Sequence, residues 1–201
     1  MRTILVIAGC WASAILYAQE AEKHLAGART AYQAGNLEDA RFNLENALRE
    51  IDAAIGREIL KALPANLNGL PANTQEDNVT GTTMSVVSGL YVHRTYGKPD
   101  GKNITLDIIS DSPLMAAVNA ILAMPFAMNT GDGTQKVIKV QGYKTLLTKR
   151  TGENGQTTGY DVQTPIGNTL LTLNCNGITS EAEAIQIANA VPLERIIKLA
   201  Q

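Results

Sequence analysis

The sequence predicts an α+β protein: an N-terminal helical hairpin, then an antiparallel sheet of about five or six strands on which two or three helices pack. Three observations lead to this fold class. Residues 19–64 have the apolar spacing of helices. Residues 82–201 contain segments with the alternation of strands, and helix signals interrupt and close that region. Neighbouring strands with segregated helices favour an antiparallel sheet.

The helical region 19–64 is predicted to form two helices, which Gly35 and Asn36 separate. Asn36 can cap the second helix, and Asp39 lies near its positive end. Pro64 ends that helix. Apolar residues repeat along it at spacings of three and four, which predicts one buried face. These residues are Ala40, Leu44, Ala47, Leu48, Ile51, Ile55 and Ile59.

The strand region follows a segment, 65–81, that is rich in Pro, Asn and Gly and lacks periodicity, so we predict a linker there. Alternation and turn residues then predict six strands. Their bounds are 86–96, 103–110, 137–140, 143–149, 160–163 and 169–175. Helices are predicted from the Asp111-Ser112-Pro113 start to about Met124, after the Ser180 capping box to about Ala190, and over 193–199. The expected domains are thus a leader (1–18), the hairpin (19–64), the linker and an α+β domain (82–201).

Residues 1–18 have the layout of a secretory signal peptide. Arg2 supplies a positive charge, an apolar run extends to Tyr17, and Ala18 is a small residue before polar Gln19. The run is shorter than the roughly 20 apolar residues that a spanning helix needs. We therefore expect export to the periplasm or the medium, a cut after Ala18, and no transmembrane span in the mature chain.

The leader also contains Ile7-Ala8-Gly9-Cys10, which resembles a bacterial lipobox. Few apolar residues precede Cys10, and the apolar run continues beyond it, so lipidation is not the expected outcome. Removal of the leader would leave Cys175 as the only thiol. An intrachain disulfide is then impossible, and stability must come from packing.

Composition excludes several function classes. Seventeen basic and nineteen acidic side chains give a net charge of −2, unlike a strongly basic nucleic-acid-binding protein. Aromatic residues make up only 4% of the chain, too few for a stacking platform. Two Cys and two His are too few for a histidine-built or a cysteine-built zinc site, and too few for a disulfide scaffold. We expect no cofactor, no metal and no nucleic-acid partner.

Catalytic motifs are also lacking: the sequence has no G-x-S-x-G, H-E-x-x-H or G-x-G-x-x-G. His24 is expected on a solvated helix face. His93 is in phase with Tyr91, but no spacing requires Ser88, Asp107 or Asp111 to approach it as a catalytic partner. Cys175 alternates with Leu171 and Leu173, which predicts a buried, inert thiol. The loop 129–133 has one acidic residue and lacks the later Glu of a calcium loop. The sequence therefore does not predict an enzyme.

The segment Pro113–Met128 is almost wholly apolar, with Asn119 as its one polar side chain. A helix that is apolar all round is normally covered on several sides. We predict that it shares a core or groove with the apolar stripe of the second helix, and that this region is an apolar groove or a partner face. Its residues are Leu114, Met115, Val118, Ile121, Leu122, Met124, Leu48, Ile51 and Ile55.

Two resemblances to known families follow from these residues. Ala28, Gly35-Asn36, Ala40, Leu44 and Ala47 resemble a single tetratricopeptide repeat, although the usual second and third copies are missing. That resemblance implies a hairpin that either binds a partner or packs on the rest of the chain.

The C-terminal region is similar to the PsbP-like sandwich, in which helices pack against an antiparallel sheet. The resemblance lies in the turn at 96–102, the Asp111-Ser112-Pro113 helix start, the joint at 140–144 and the terminal helix after Ser180. It implies a fold and brings no catalytic residue with it. The whole chain also resembles small uncharacterised exported bacterial proteins.

Together these features favour a non-enzymatic, exported binding or accessory protein of the cell envelope. Its expected partner is another envelope protein or an apolar small molecule. A carrier of a lipid or other apolar molecule beside helix 113–124 is the alternative, because the three Met of segment 113–128 give it an adaptable surface. A hydrolase without a recognisable motif is the third hypothesis.

Overall fold

A computed structural model of the chain describes residues 9–81, 89–124 and 133–200, with side chains from Gln19 onward. The helices are α1 (Gly9–Gln33), α2 (Leu37–Ala62), α3 (Met115–Ala123), α4 (Glu181–Ala190) and α5 (Leu193–Ala200). The first strands are β1 (Asn66–Leu67), β2 (Leu70–Pro71), β3 (Asn78–Gly81), β4 (Leu90–Gly97) and β5 (Asn103–Ser110). The others are β6 (Gln135–Val140), β7 (Tyr143–Thr151), β8 (Thr157–Ile166) and β9 (Thr169–Asn176).

The main sheet has the order β3-β4-β5-β9-β8-β7-β6, and every neighbouring pair is antiparallel. The predicted α+β class with an N-terminal helical pair is therefore confirmed. The described part of the sheet has seven strands, one more than the prediction allowed. β9 joins the two halves because it pairs with both β5 and β8.

The segment predicted as a linker contains the additional strand. β3 pairs with β4 at the edge of the main sheet, and β1 and β2 form a two-stranded hairpin of their own. Asn68 and Gly69 turn that hairpin with φ values of 52° and 84°. Leu67 is fully buried in the main core. The segment 65–81 thus contains three short strands, which the sequence did not indicate because short strands carry too few residues to show a period.

Helices cover one face of the sheet far more than the other. α2, α4 and α5 contribute to the large apolar core on the first face, with Ile59, Ile187 and Ile196 among the buried residues. α3 covers part of the opposite face in a small separate cluster of Val118, Leu122, Leu146 and Leu170. Neighbouring strand residues confirm this division, because Leu147 and Leu171 belong to the large core.

The helix caps that the sequence predicts are present in the structure. The Asn36 side chain accepts a hydrogen bond from the Asp39 amide at 3.3 Å, and Ser180 caps α4 by accepting from the Glu183 amide at 3.4 Å. α3 begins at Met115, two residues after the predicted Pro113.

β8 is longer than the predicted 160–163, since its polar residues are paired on both sides within the sheet.

Some predictions concern residues outside this description. Residues 1–8, 82–88, 125–132 and 201 are not described, so the start of the leader, the beginning of the strand predicted at 86 and most of the loop 129–133 lie outside the description. α1 runs through the expected cut between Ala18 and Gln19. Among the described residues, no helix has both the length and the apolar character to cross a membrane.

Candidate functional site

Small residues let α1 and α2 approach closely. Ala28 on α1 is buried, as are Ala40 and Ala47 on α2. At Gly27, an added Cβ would lie 2.8 Å from Oδ1 of Asn43, so the helices are almost in contact there. α1 packs chiefly against α2, whereas α2 also packs on β3, β4 and α5.

The part of α2 beyond the sheet carries an exposed apolar row. Leu37, Leu44, Leu48 and Ile51 are 42% to 64% exposed, whereas Ile55 is partly buried against the core. With Arg41, these residues alternate at spacings of four and three, which is the repeat of a coiled-coil contact. We call this set the α2 seam: Leu37, Arg41, Leu44, Leu48, Ile51 and Ile55.

Two apolar residues of α1 adjoin the α2 seam. Leu25 and Tyr32 are seven residues apart, so they lie on one side of α1, away from Gly27. Gly27 faces Asn43, and Leu44 is one residue, or about 100°, further round α2. Leu25 and Tyr32 are turned by a similar angle from the side of α1 that faces α2, and the two helices of the hairpin are antiparallel. The exposed sides of the two helices therefore meet. Tyr32 is 70% exposed and Leu25 is 46% exposed. We call the α2 seam together with Leu25 and Tyr32 the hairpin face.

Charges border the hairpin face. Arg41 forms an exposed ion pair with Glu45, with 2.8 Å between Nε and Oε1. Asp52 follows Ile51 of the seam and is partly buried. Burial and the nearby charge of Asp111 raise the pKa of Asp52. Within the described part of the chain, no cation forms an ion pair with Asp52.

The sequence-predicted site residues fall into two groups that the structure does not bring together. On α3, Val118 and Leu122 are buried in the small cluster on one face of the sheet. The α2 residues lie on the side of the opposite face, where Ile55 packs on the large core. The common core expected for these two surfaces is absent from the described residues because the sheet lies between them. The remaining α3 residues of the set are Met115 and Ile121, which are partly buried, and Leu114 and Met124, which are more than half exposed.

A small apolar pocket lies between the sheet and α5. Ile108, Leu171 and Ile196 are among the residues that line it. It has room for about one water molecule, far less than an acyl chain needs. This pocket therefore does not supply the groove that the carrier hypothesis requires.

The structure brings His93 and Asp107 together, partly buried, on the face of the sheet opposite the large core. Nδ1 of His93 lies 2.7 Å from Oδ1 of Asp107, and the Tyr91 hydroxyl donates to the same oxygen at 3.0 Å. The Tyr91 and His93 rings stack with centroids 6.2 Å apart. Burial, followed by the charge of Asp107, raises the pKa of Tyr91 to about 12, so its hydroxyl remains a donor. When Nδ1 donates to the carboxylate, Nε2 can accept a hydrogen bond or a proton.

The sequence offered Asp107 only as one of three residues that could approach His93, although the signal for this pair was present. The turn between β4 and β5 is centred near residue 100, and symmetrical pairing of the two strands about that residue places His93 opposite Asp107. A nucleophile would also be needed for hydrolysis. Among the described residues, Tyr91 supplies the only hydroxyl that is hydrogen-bonded to the pair.

Cys175 behaves as the sequence predicts. Its side chain is fully buried in the core. Burial, as the main cause, raises the pKa of the thiol to about 12. A buried thiol that stays protonated is a poor nucleophile and a poor metal ligand. No group of three or more His, Cys, Asp or Glu among the described residues could hold a metal ion.

Comparisons with known proteins give no relative to this chain. No protein-family model matches it, and neither a curated protein nor a solved structure does.

Proposed function

We propose that the protein is a non-enzymatic binding or accessory protein of the cell envelope, which docks a helical partner through the hairpin face. One observation carries this proposal: six large apolar side chains are 42% to 70% exposed on one side of the hairpin. Contiguous apolar patches on a soluble protein mark interaction sites far more often than single exposed residues do. The envelope location rests on the predicted leader.

The spacing of the α2 seam favours a helix as the partner. Alternating steps of three and four residues keep one side of a helix against another helix over many turns. Helix-in-groove recognition uses the same anchor positions. Arg41 is the only charged member of the seam, and its alkyl stem can extend the apolar surface while the guanidinium stays in water.

The free energy gained by covering the hairpin face is comparable with the cost of association. Hiding the exposed half of six such side chains is worth about 5–9 kcal/mol in total, taking 1.5–3 kcal/mol for a whole side chain. Association itself costs about 4–15 kcal/mol in lost freedom. The free energy of apolar burial therefore offsets much of the cost of association. Polar contacts at the border of the face must supply the remaining free energy of binding. A reversible complex is expected.

Site-specific photo-crosslinking tests this proposal. A photoreactive amino acid replaces Leu48 in the protein as its native cells express it. A matched variant carries the same amino acid in place of Lys61. Lys61 lies on the same helix, and its side chain is 70% exposed, but it lies outside the hairpin face. We expect a discrete crosslinked species from Leu48 that Lys61 does not give. Equal crosslinking at the two positions, or none at Leu48, would overturn the proposal.

A further inference from the structure

We propose that the partner on the hairpin face is the hairpin of a second copy of this chain, held by antiparallel pairing of the two α2 seams. This inference rests on the proposed function and names its partner. The positions of the seam carry it, because residues 37, 41, 44, 48, 51 and 55 are symmetrical about residue 46. A two-fold axis near that residue brings seam residues onto seam residues along their whole length, as a two-fold interface requires.

The pairing joins residues of matching character. Leu44 lies opposite Leu48 of the partner subunit, and Leu37 lies opposite Ile55 of the partner subunit. The two hairpins then form a four-helix bundle, with α1 of each copy at the edge, where Leu25 and Tyr32 are also covered. The exposed row, which is unfavourable in a monomer, becomes the core of this bundle.

Charge favours the antiparallel arrangement over the parallel one. In the antiparallel pairing Arg41 lies over Ile51 of the partner subunit and beside Asp52 of the partner subunit, and the two-fold axis repeats the contact. Asp52 lies near the charge of Asp111 and, within the described residues, has no ion-pair partner. A cation is therefore favoured there. A parallel pairing would instead place Arg41 against Arg41 of the partner subunit, where like charges repel.

Analytical ultracentrifugation of the purified full chain, at about 1 to 100 µM, tests the inference. We expect a reversible monomer–dimer equilibrium. Arg41→Asp should raise the dimer dissociation constant at least about tenfold, and Asp52→Arg should act similarly. The double variant should return the constant to within about threefold of the wild type, because the exchanged charges again attract. Lys61→Glu, outside the seam, is the matched control and should change nothing.

The register has its own test, which does not depend on the charge variants folding. Leu44→Cys protein is mixed with Leu48→Cys protein and oxidised mildly. We expect a disulfide-linked heterodimer to form faster than either homodimer, because residues 44 and 48 face each other only in the antiparallel register. Preferential Leu44→Cys homodimers would overturn the inference and indicate a parallel pairing.

The results separate this inference from the proposed function. If the protein is strictly monomeric and its Leu48 position crosslinks to a different protein in cells, the partner is not a second copy, and the proposal that the hairpin face binds a partner stands. A monomer without any crosslink overturns both. A dimer that ignores the Arg41 and Asp52 changes, and whose cysteines do not pair as described, overturns the seam as the contact.

Discussion

Arg94 forms a bidentate ion pair with Asp77, in which Nε donates to Oδ1 at 2.8 Å and Nη2 donates to Oδ2 at 2.5 Å. The third guanidinium nitrogen, Nη1, donates to the carbonyl of Leu60 at 2.9 Å. This one side chain therefore joins the end of α2, the segment before β3 and the strand β4. The carboxylate and the neighbouring Tyr96 hydroxyl raise the pKa of Arg94 further, whereas burial opposes them.

Arg94→Ala should destabilise the protein by about 3–5 kcal/mol, because it leaves the Asp77 carboxylate poorly solvated and unpaired. Urea unfolding measures the effect. Arg41→Ala removes an exposed pair and is the matched control, with an expected change below about 1 kcal/mol at concentrations where the protein is monomeric. A loss below about 1 kcal/mol for Arg94→Ala would show that the ion pair does not hold these elements together.

Gly56 lies where α2 packs on the sheet. A Cβ there would clash with Cγ1 of Val79 and press on Leu90 and Val92. Gly56→Ala should therefore cost about 1–3 kcal/mol despite its better helix propensity. In Gly27→Ala the obstacle is the mobile end of Asn43, and the gain in helix propensity of about 1 kcal/mol should keep stability unchanged or raise it. Thermal unfolding compares the two; equal losses would contradict the packing described for α2.

Cys175 gives a prediction for alkaline pH. Its pKa is about 12 in the folded protein, against a reference of 9.0. Between these values the unfolded thiol loses its proton while the folded one keeps it, so unfolding becomes more favourable as pH rises. The loss approaches about 1.4 kcal/mol per pH unit. Tyr91, with a pKa raised from 10.0 to about 12, weakens the fold in the same direction above pH 10.

Cys175→Ala separates the thiol from the other groups. Near pH 8 the variant should be less stable than the wild type by about 1 kcal/mol because of lost packing. That difference should shrink as pH rises above 9, since only the wild type has the thiol to ionise. Urea titrations from pH 8 to pH 10.5 measure it, in about half-unit steps. A difference that stays constant over this range would show that the thiol titrates normally.

The leader gives a prediction that the fold does not address. If residues 1–18 direct export, N-terminal sequencing of protein from the periplasm or the medium should begin at Gln19, with that residue cyclised in part of the material. Protein that begins at a lipidated Cys10 would place it on a membrane instead. Protein that keeps Met1 would remove the export route on which the envelope location rests.

Local signals in the sequence predicted the elements well. Asn36 and Ser180 correctly predicted where their helices start, because a helix cap involves neighbouring residues only. β3 was missed because an edge strand of four residues is defined by its partner, β4, and not by its own pattern. β8 was predicted too short for the same reason, since its pairing on both sides overrides weak propensities.

The candidate site was predicted only in part. The α2 stripe was recognised, but its members were expected to be buried together. In the structure Ala40 and Ala47 face α1, while Leu44 and Leu48 are exposed. An apolar stripe with spacings of three and four is wide, and the second helix covers only part of it. Periodicity alone therefore does not show which residues of the stripe remain exposed. The contact between His93 and Asp107 depends on the register of β4 and β5, which the spacing of residues within either strand does not show.

Cysteine labelling in intact cells tests most directly whether the hairpin face is covered when the protein works. Leu48→Cys and Lys61→Cys report on two exposed positions of one helix, and the native Cys175 is buried. Cells are treated briefly with a small permeant maleimide, and each rate is divided by that of the same variant unfolded in denaturant. If the face is occupied, Leu48→Cys should react at least about tenfold more slowly than Lys61→Cys, since a buried interface excludes the reagent. Equal normalised rates would show an uncovered face and contradict the account.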